Sequence, residues 1–200
     1  MKAKKSAAIS TAARARPRKT TAAAGAKHHR ATGIASIDEL MAYAYALEVE
    51  ASERYAEFAD AMDAHNNREV AELFRKLARI EHRHAEQVLE DMGWLSPPPA
   101  PHGGYKWEGF EGPETGDVGE LHYLMRPYHA LQIALHNEKR AFVFFGGLVK
   151  QARNAKVKKA AEKMKEEEAE HVRLIEEWLK RTPRPDADWA IDPDPPALAD

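Results

Sequence analysis

Apolar positions between residues 37 and 181 recur at spacings of three and four, the period of an α-helix, in four successive stretches. In the first, Met41, Tyr45, Glu48, Ser52, Tyr55 and Met62 share one stripe, and Ser36 with Glu39 three residues on reads as a capping box. The spacing predicts a helix over 37–64. His65, Asn66 and Asn67 interrupt the period, after which Val70, Leu73, Phe74, Leu77, Glu81, His84, Val88 and Met92 mark a second amphipathic stripe. So short a connection makes the second helix antiparallel to the first. A third helix carries Leu131, Leu135, Glu138, Phe142, Phe145 and Val149 at heptad-like spacing. After Asn154 a fourth carries Val157, Ala161, Met164, Glu168, His171, Ile175 and Leu179.

Residues 93–127, between the second and third helices, are rich in proline, glycine and aromatic residues, with a short helix expected near 120–125. A connection of that length needs a reason. If the second and third helices run parallel, the chain must travel back along the whole bundle, about 42 Å for a helix of about 28 residues. About thirty extended residues cover that distance easily. The fold class that follows is all-α: an antiparallel four-helix bundle over 37–181 with one long crossover between the second and third helices.

Charge divides the chain further. The formal net charge of −2 is an average over unlike segments. Residues 1–36 hold nine Lys or Arg and no acid, so this tail carries about +9, whereas the segment after Thr182 carries about −4, leaving the bundle at about −7. The basic tail lacks Leu and aromatic residues and cannot bury enough apolar surface to offset its ordering entropy. It reads as a disordered, solvated tail whose basic residues between 2 and 30 suit contact with DNA or another polyanion, although the composition is also that of an organellar transit peptide. Residues 182–200, with five prolines after Thr182, read as a Pro/Asp-rich extended tail in which Trp189 and Ile191 could dock. The longest uncharged apolar run, Ala141 to Val149, is less than half of the roughly 20 residues a membrane helix needs. The expectation is a cytoplasmic chain without a transmembrane segment.

With 10 His and no Cys, the chain has no thiolate for a disulfide, an iron–sulfur cluster or a zinc–thiolate site, so any metal must be held by His and carboxylate. Two of the buried stripes contain Glu-x-x-His: Glu81 with His84, and Glu168 with His171. In a chain with 22 Glu and 10 His, chance alone supplies roughly one such spacing. Position carries more weight than spacing, because both pairs replace apolar residues where an ionised side chain is costly unless it is paired or ligates a metal. Helix geometry puts residues i and i+3 on one face. Glu48 and Glu138 occupy inward positions on the first and third helices, each followed seven residues later by an aromatic, Tyr55 or Phe145. The halves repeat, Glu81 lying 33 residues after Glu48 and Glu168 lying 30 after Glu138.

A Glu from each of two helices and a Glu-x-x-His from each of the other two, all directed inward, is the constellation that builds a di-iron or di-manganese carboxylate centre in ferritin-like bundles. Four carboxylates balance two divalent cations, and nitrogen and oxygen ligation suits Fe or Mn. The competing explanation is a buried polar layer with no metal. Glu50, Glu53, Glu57, Glu166, Glu167, Glu170 and His82 fall off the buried stripes and read as solvated charge. Tyr55 is a candidate catalytic residue beside the metals, as a hydrogen-bond donor or redox group, or else a core tyrosine with a satisfied hydroxyl.

The sequence resembles the rubrerythrin branch of the ferritin-like superfamily over about residues 37–181. LEVEASERYAEFAD around Glu48 looks like that family's first metal-binding helix, ARIEHRHAEQ like its second, HNEKRAFVFF with Glu138 like its third, and EEEAEHVRLI with Glu168 and His171 like its fourth. The resemblance implies that Glu48 and Glu138 are terminal ligands, that Glu81 and Glu168 bridge two Fe ions (or Mn), and that His84 and His171 complete one metal each. It also implies reduction of peroxide or dioxygen, or oxidation of Fe(II), and by analogy a homodimer. Two departures stand out. Typical rubrerythrins carry a cysteine-ligated rubredoxin iron that delivers electrons, which a chain without Cys cannot hold, so an external electron donor is expected. The further carboxylate that many rubrerythrins place three residues after the third-helix Glu is Ala141 here. The leading function is a non-haem di-iron oxidoreductase; the alternatives are a ferroxidase or iron-handling protein, and a di-iron hydroxylase of an organic substrate.

Overall fold

The protein, described by a computed structural model over residues 34–101, 104, 105, 107 and 112–193, contains four long helices: α1 (Ile37–Ala64), α2 (Arg68–Met92), α3 (Pro127–Gln151) and α4 (Ala155–Arg181). There is no strand among the described residues. The basic tail up to residue 33, with the polyanion contact expected of it, lies outside them, as do residues 194–200 and parts of the crossover.

The helix boundaries follow local chemistry. Ser36 Oγ accepts from Glu39 N at 3.0 Å, while Glu39 Oε2 accepts from Ala35 N at 2.9 Å, so the capping carboxylate reaches one residue before the N-cap. Asn67 caps α2 by accepting from Val70 N, and its Nδ2 donates to the carbonyls of Tyr123 and Met125, tying the α1–α2 turn to the end of the crossover. Gly93 ends α2 in the left-handed region at φ 64°, where Trp94 N returns to Leu89 O, a closure that any residue with a Cβ would strain. Pro127 opens α3 at the position where a missing N–H costs nothing.

Two apolar clusters show how the helices run. One gathers Tyr55, Phe58 and Met62 from the end of α1, Val70, Phe74 and Leu77 from the start of α2, Ala130, Leu131 and Ala134 from the start of α3, and Ile175 near the end of α4. The other joins Leu40, Met41 and Leu47, Val88, Ala141 with Phe145 and Leu148, and Val157, Ala161 and Met164. The first cluster therefore places the start of α2 beside the start of α3, and the second places their later turns together, so these helices are parallel and the crossover spans the bundle. α1 and α2 form one antiparallel hairpin, α3 and α4 the other. The fold is a ferritin-like four-helix bundle.

Three details differ from the sequence expectation. The buried face of α3 runs through Asn137, Ala141, Phe145 and Leu148, with Phe142 and Val149 only partly covered, because a straight helix drifts from a heptad repeat. The short helix of the crossover is a single 3-10 turn at Val118–Glu120. The segment after Thr182 turns back instead of running extended: Trp189 packs on the first cluster and lies 3.8 Å from the His129 ring, centroid to centroid. Ile191 stays exposed. No helix among the described residues is long and apolar enough to cross a membrane.

Candidate metal centre

Between the two apolar clusters lies a layer of buried charge. Each helical hairpin contributes one half of it: Glu48 from α1 with Glu81 and His84 from α2, and Glu138 from α3 with Glu168 and His171 from α4. Within each half one ligand atom per residue falls inside 4.8 Å of the others. His84 Nδ1 is 3.1 Å from Glu81 Oε2 and 3.6 Å from Glu48 Oε2, and His171 Nδ1 is 3.3 Å from Glu138 Oε2 and 3.4 Å from Glu168 Oε2. The two imidazoles meet across the hairpins, stacked at 4.2 Å and 8°. All six metal-ligand positions expected from the sequence are thus brought together, and the internal repeat acquires a structural meaning, one half-site per hairpin.

The carboxylates are buried beyond what their protein partners satisfy. Glu48, Glu81 and Glu138 are 3% exposed and Glu168 is 0% exposed. Apart from these imidazole contacts, Glu48 Oε2, Glu138 Oε2 and both oxygens of Glu168 have no hydrogen-bond partner among the described residues. Burial lifts the Glu48 carboxyl to about 8, opposed by His84 and reinforced by Glu168 and Glu81. It lifts Glu138 to about 7 against the pull of His171, again with Glu81 and Glu168 adding to the rise. Glu48 and Glu138 therefore each feel a carboxylate of the other hairpin. Burial disfavours the imidazolium of His84, yet the adjoining Glu48 and Glu81 carry it up to about 9, and Glu138 with Glu168 take His171 to about 11. Protons on the two imidazoles stand where cations would neutralise the layer. Orphaned carboxylate oxygens around two inward nitrogens form a donor set that fits two divalent ions.

A cavity of about 210 Å³ reaches this layer, lined by Met41, Val88 and Met164 together with Glu48, His84 and His171. Gln87, Asp91 and Glu167 complete its lining, and Lys163 pairs with Asp91 at 3.1 Å and with Glu167 at 3.2 Å. Glu167 is thus part of the approach to the metals as well as of the surface.

The family model for rubrerythrin matches residues 39–100, which span α1, α2 and the first Glu-x-x-His. A crystal structure of an uncharacterized conserved protein from Magnetospirillum magnetotacticum MS-1 is 38% identical, with 76% of this chain and 98% of that one covered at a TM-score of 0.54. The chain belongs to the rubrerythrin-like family. No curated protein is significantly similar to it.

Within this rubrerythrin-like frame, Ala141 occupies a fully buried position on α3, three residues after Glu138 and in the second apolar cluster, so it offers the neighbouring site no ligand atom. Tyr55 lies in the first apolar cluster, 6.0 Å from the Phe74 ring at 19°, and its hydroxyl accepts from Asn137 Nδ2 at 3.3 Å. Burial raises its pKa well above 10.0, and the charges of Glu138 and Glu81 add to that rise.

Two residues of the neighbourhood escape periodicity altogether. Glu114, in the crossover, is buried at 4% exposure with Oε2 unpartnered. Burial first, then Glu168, Glu48, Glu138 and Glu81, push its pKa well above 4.5. Glu50, expected to be solvated charge, instead accepts from Gly112 N at 2.9 Å and from Thr115 Oγ1 at 3.3 Å. A loop residue has no stripe to betray its burial, and an off-stripe Glu on α1 gives no sign that a loop returns to meet it.

Proposed function

We propose that this rubrerythrin-like protein is a non-haem di-iron oxidoreductase that reduces peroxide or dioxygen. The observation that carries the reading is the pair of half-sites, with buried carboxylate oxygens whose only described partners are the two imidazoles, beside a small cavity lined by Glu48, His84 and His171. When bound, two redox-active ions would supply one electron each to a two-electron reduction. Glu48 with His84 would hold one ion and Glu138 with His171 the other, while Glu81 and Glu168, each acting electrostatically on the opposite hairpin, would be shared between them. Met41, Val88 and Met164 give the approach an apolar part of its lining, and the Tyr55 hydroxyl, on Asn137 next to Glu138, would stay neutral. A cavity of about 210 Å³ suits peroxide or dioxygen with some water. Sites that enclose larger organic ligands run to roughly 300–1,000 Å³, which weighs against the hydroxylase reading. Because the chain has no Cys, electrons would come from a separate donor.

The second reading, a ferroxidase or iron-handling role, draws on Asp91 and Glu167 in the cavity lining, which would favour a cation as the entering species. Metal analysis of protein from iron-supplemented cells, followed by peroxide consumption with a reductant, separates these. About two Fe per chain in the wild type, lost in Glu81→Ala and in His171→Ala, with rapid peroxide turnover, is the expected result. More than two Fe retained per chain, without such turnover, favours iron handling. Wild-type protein with no stoichiometric Fe or Mn, or metal indifferent to both substitutions, would sink the di-metal reading.

A further inference from the structure

A buried carboxylate that accepts no hydrogen bond is costly and persists where something else offsets it. Glu114 comes close to that case, buried at 4% exposure with Oε2 unpartnered among the described residues, and it comes from the crossover, outside every helix. The loop around it is fastened on two sides. Glu50 of α1 holds Gly112 N and Thr115 Oγ1, and Arg140 of α3 donates to Thr115 O at 3.3 Å. Gly116 lies so close to the bundle that an added Cβ would stand 3.1 Å from the Phe58 ring and 3.3 Å from Asn137 Nδ2. Both flanks of Glu114 are therefore pinned, and its burial is imposed by the fold.

The direction of that loop matters. Asn137, against which Gly116 packs, and Ala141 are four residues apart and share one face of α3. Position 141 is fully buried yet offers the site no ligand atom. Asn137 and Arg140, the α3 residues that meet Gly116 and Thr115, flank Glu138, so the loop next to Glu114 lies against the turn that carries a carboxylate of the site. We propose that Glu114 is a fifth carboxylate of the di-metal centre, delivered by the crossover to the side of the site that Ala141 leaves bare. The inference rests on the di-metal reading above and deepens it. Four carboxylates match two divalent ions, and a fifth adds the negative charge that a more highly oxidised pair requires.

The test is anaerobic calorimetric titration of Mn(II) and Fe(II) into the full chain, with thermal melting of the metal-free protein alongside, for the wild type, Glu114→Gln and Glu114→Gln with Ala141→Glu. Glu114→Gln should weaken binding of at least one ion by about tenfold or more, the scale on which ligand-shell changes act. The same variant should melt higher than wild type when metal-free, because an uncompensated buried carboxylate is gone. Restoring a carboxylate from α3 through Ala141→Glu should recover the affinity, which no merely supportive role of Glu114 would allow. Unchanged affinity in Glu114→Gln, with two ions bound by the wild type, refutes the fifth carboxylate and leaves the di-metal centre standing. A lower metal-free melting point together with a loss that Ala141→Glu does not rescue makes Glu114 a structural support and overturns the proposal. A wild type that binds neither ion overturns both readings.

Discussion

Tyr55 and Glu114 are both buried, but their surroundings assign them different work. The Tyr55 ring is packed between Phe58 and Phe74 and its hydroxyl accepts from Asn137, so most of its contacts are those of a core residue. Tyr55→Phe keeps the ring and strands the Asn137 amide, which should cost about 1–2 kcal/mol of stability while leaving metal stoichiometry unchanged. Thermal melting and metal analysis of the variant check this; a loss of metal would instead give the hydroxyl a part in the site. At this scale the sequence was informative where a residue broke a pattern. Glu48, Glu81, Glu138 and Glu168 stood out because each is an acid at an apolar position of a helical stripe, and the structure buries all four. Glu114 and Glu50 broke no pattern, since the burial of one and the bracing role of the other exist only once the crossover folds back.

Among the elements, the helices were legible and the crossover was not. Helix limits depend on neighbours a few residues away, on Ser36, Asn67 and Asn154 as caps and on Gly93 as a left-handed stop. The path of residues 112–117 depends on contacts to α1 and α3 far along the chain. Gly116 marks where that path is tightest. Gly116→Ala must push the Phe58 ring or Asn137 aside, both of them fully buried, and should cost about 1–3 kcal/mol, the usual penalty for overfilling a core. If Glu114 depends on this loop for its placement, the same variant should also bind Mn(II) more weakly. A melting point and affinity equal to wild type would show that the loop can relax without consequence. The segment after α4 follows the same logic: its prolines predicted an extended run, yet Trp189 finds His129 and the first apolar cluster, a long-range contact that composition cannot disclose.

For the molecule as a whole, the charged layer sets how stability responds to pH. In the metal-free chain Glu48 and Glu138 rise from 4.5 to about 8 and about 7, and His84 and His171 rise from 6.5 to about 9 and about 11. The folded state therefore holds more protons than the unfolded state across this range, and stability falls as pH increases. The favourable contribution of the two imidazoliums is complete below 6.5 and disappears as pH passes about 9 and about 11, while the cost of charging Glu48 and Glu138 inside the bundle grows between 4.5 and about 8. With chelator present, the melting temperature should drop by several degrees from about pH 6 to about pH 9, at roughly 2–4 °C per kcal/mol for a domain of this size. Added Mn(II) should offset the drop most strongly at the higher pH, where protons no longer compete for the ligands. A metal-free melting point that climbs over that interval would contradict the charge distribution. What the sequence determined by itself was everything periodic and local: four helices, their caps, the hairpin order, and four acids and two imidazoles placed on inward stripes. Tertiary structure decided which of those stripes meet, that the two half-sites stack through His84 and His171, and that a loop carboxylate, Glu114, is buried. Periodicity encodes the face a helix will bury, because burial there is a property of a single helix; the partner that covers that face is chosen only when distant segments are packed together.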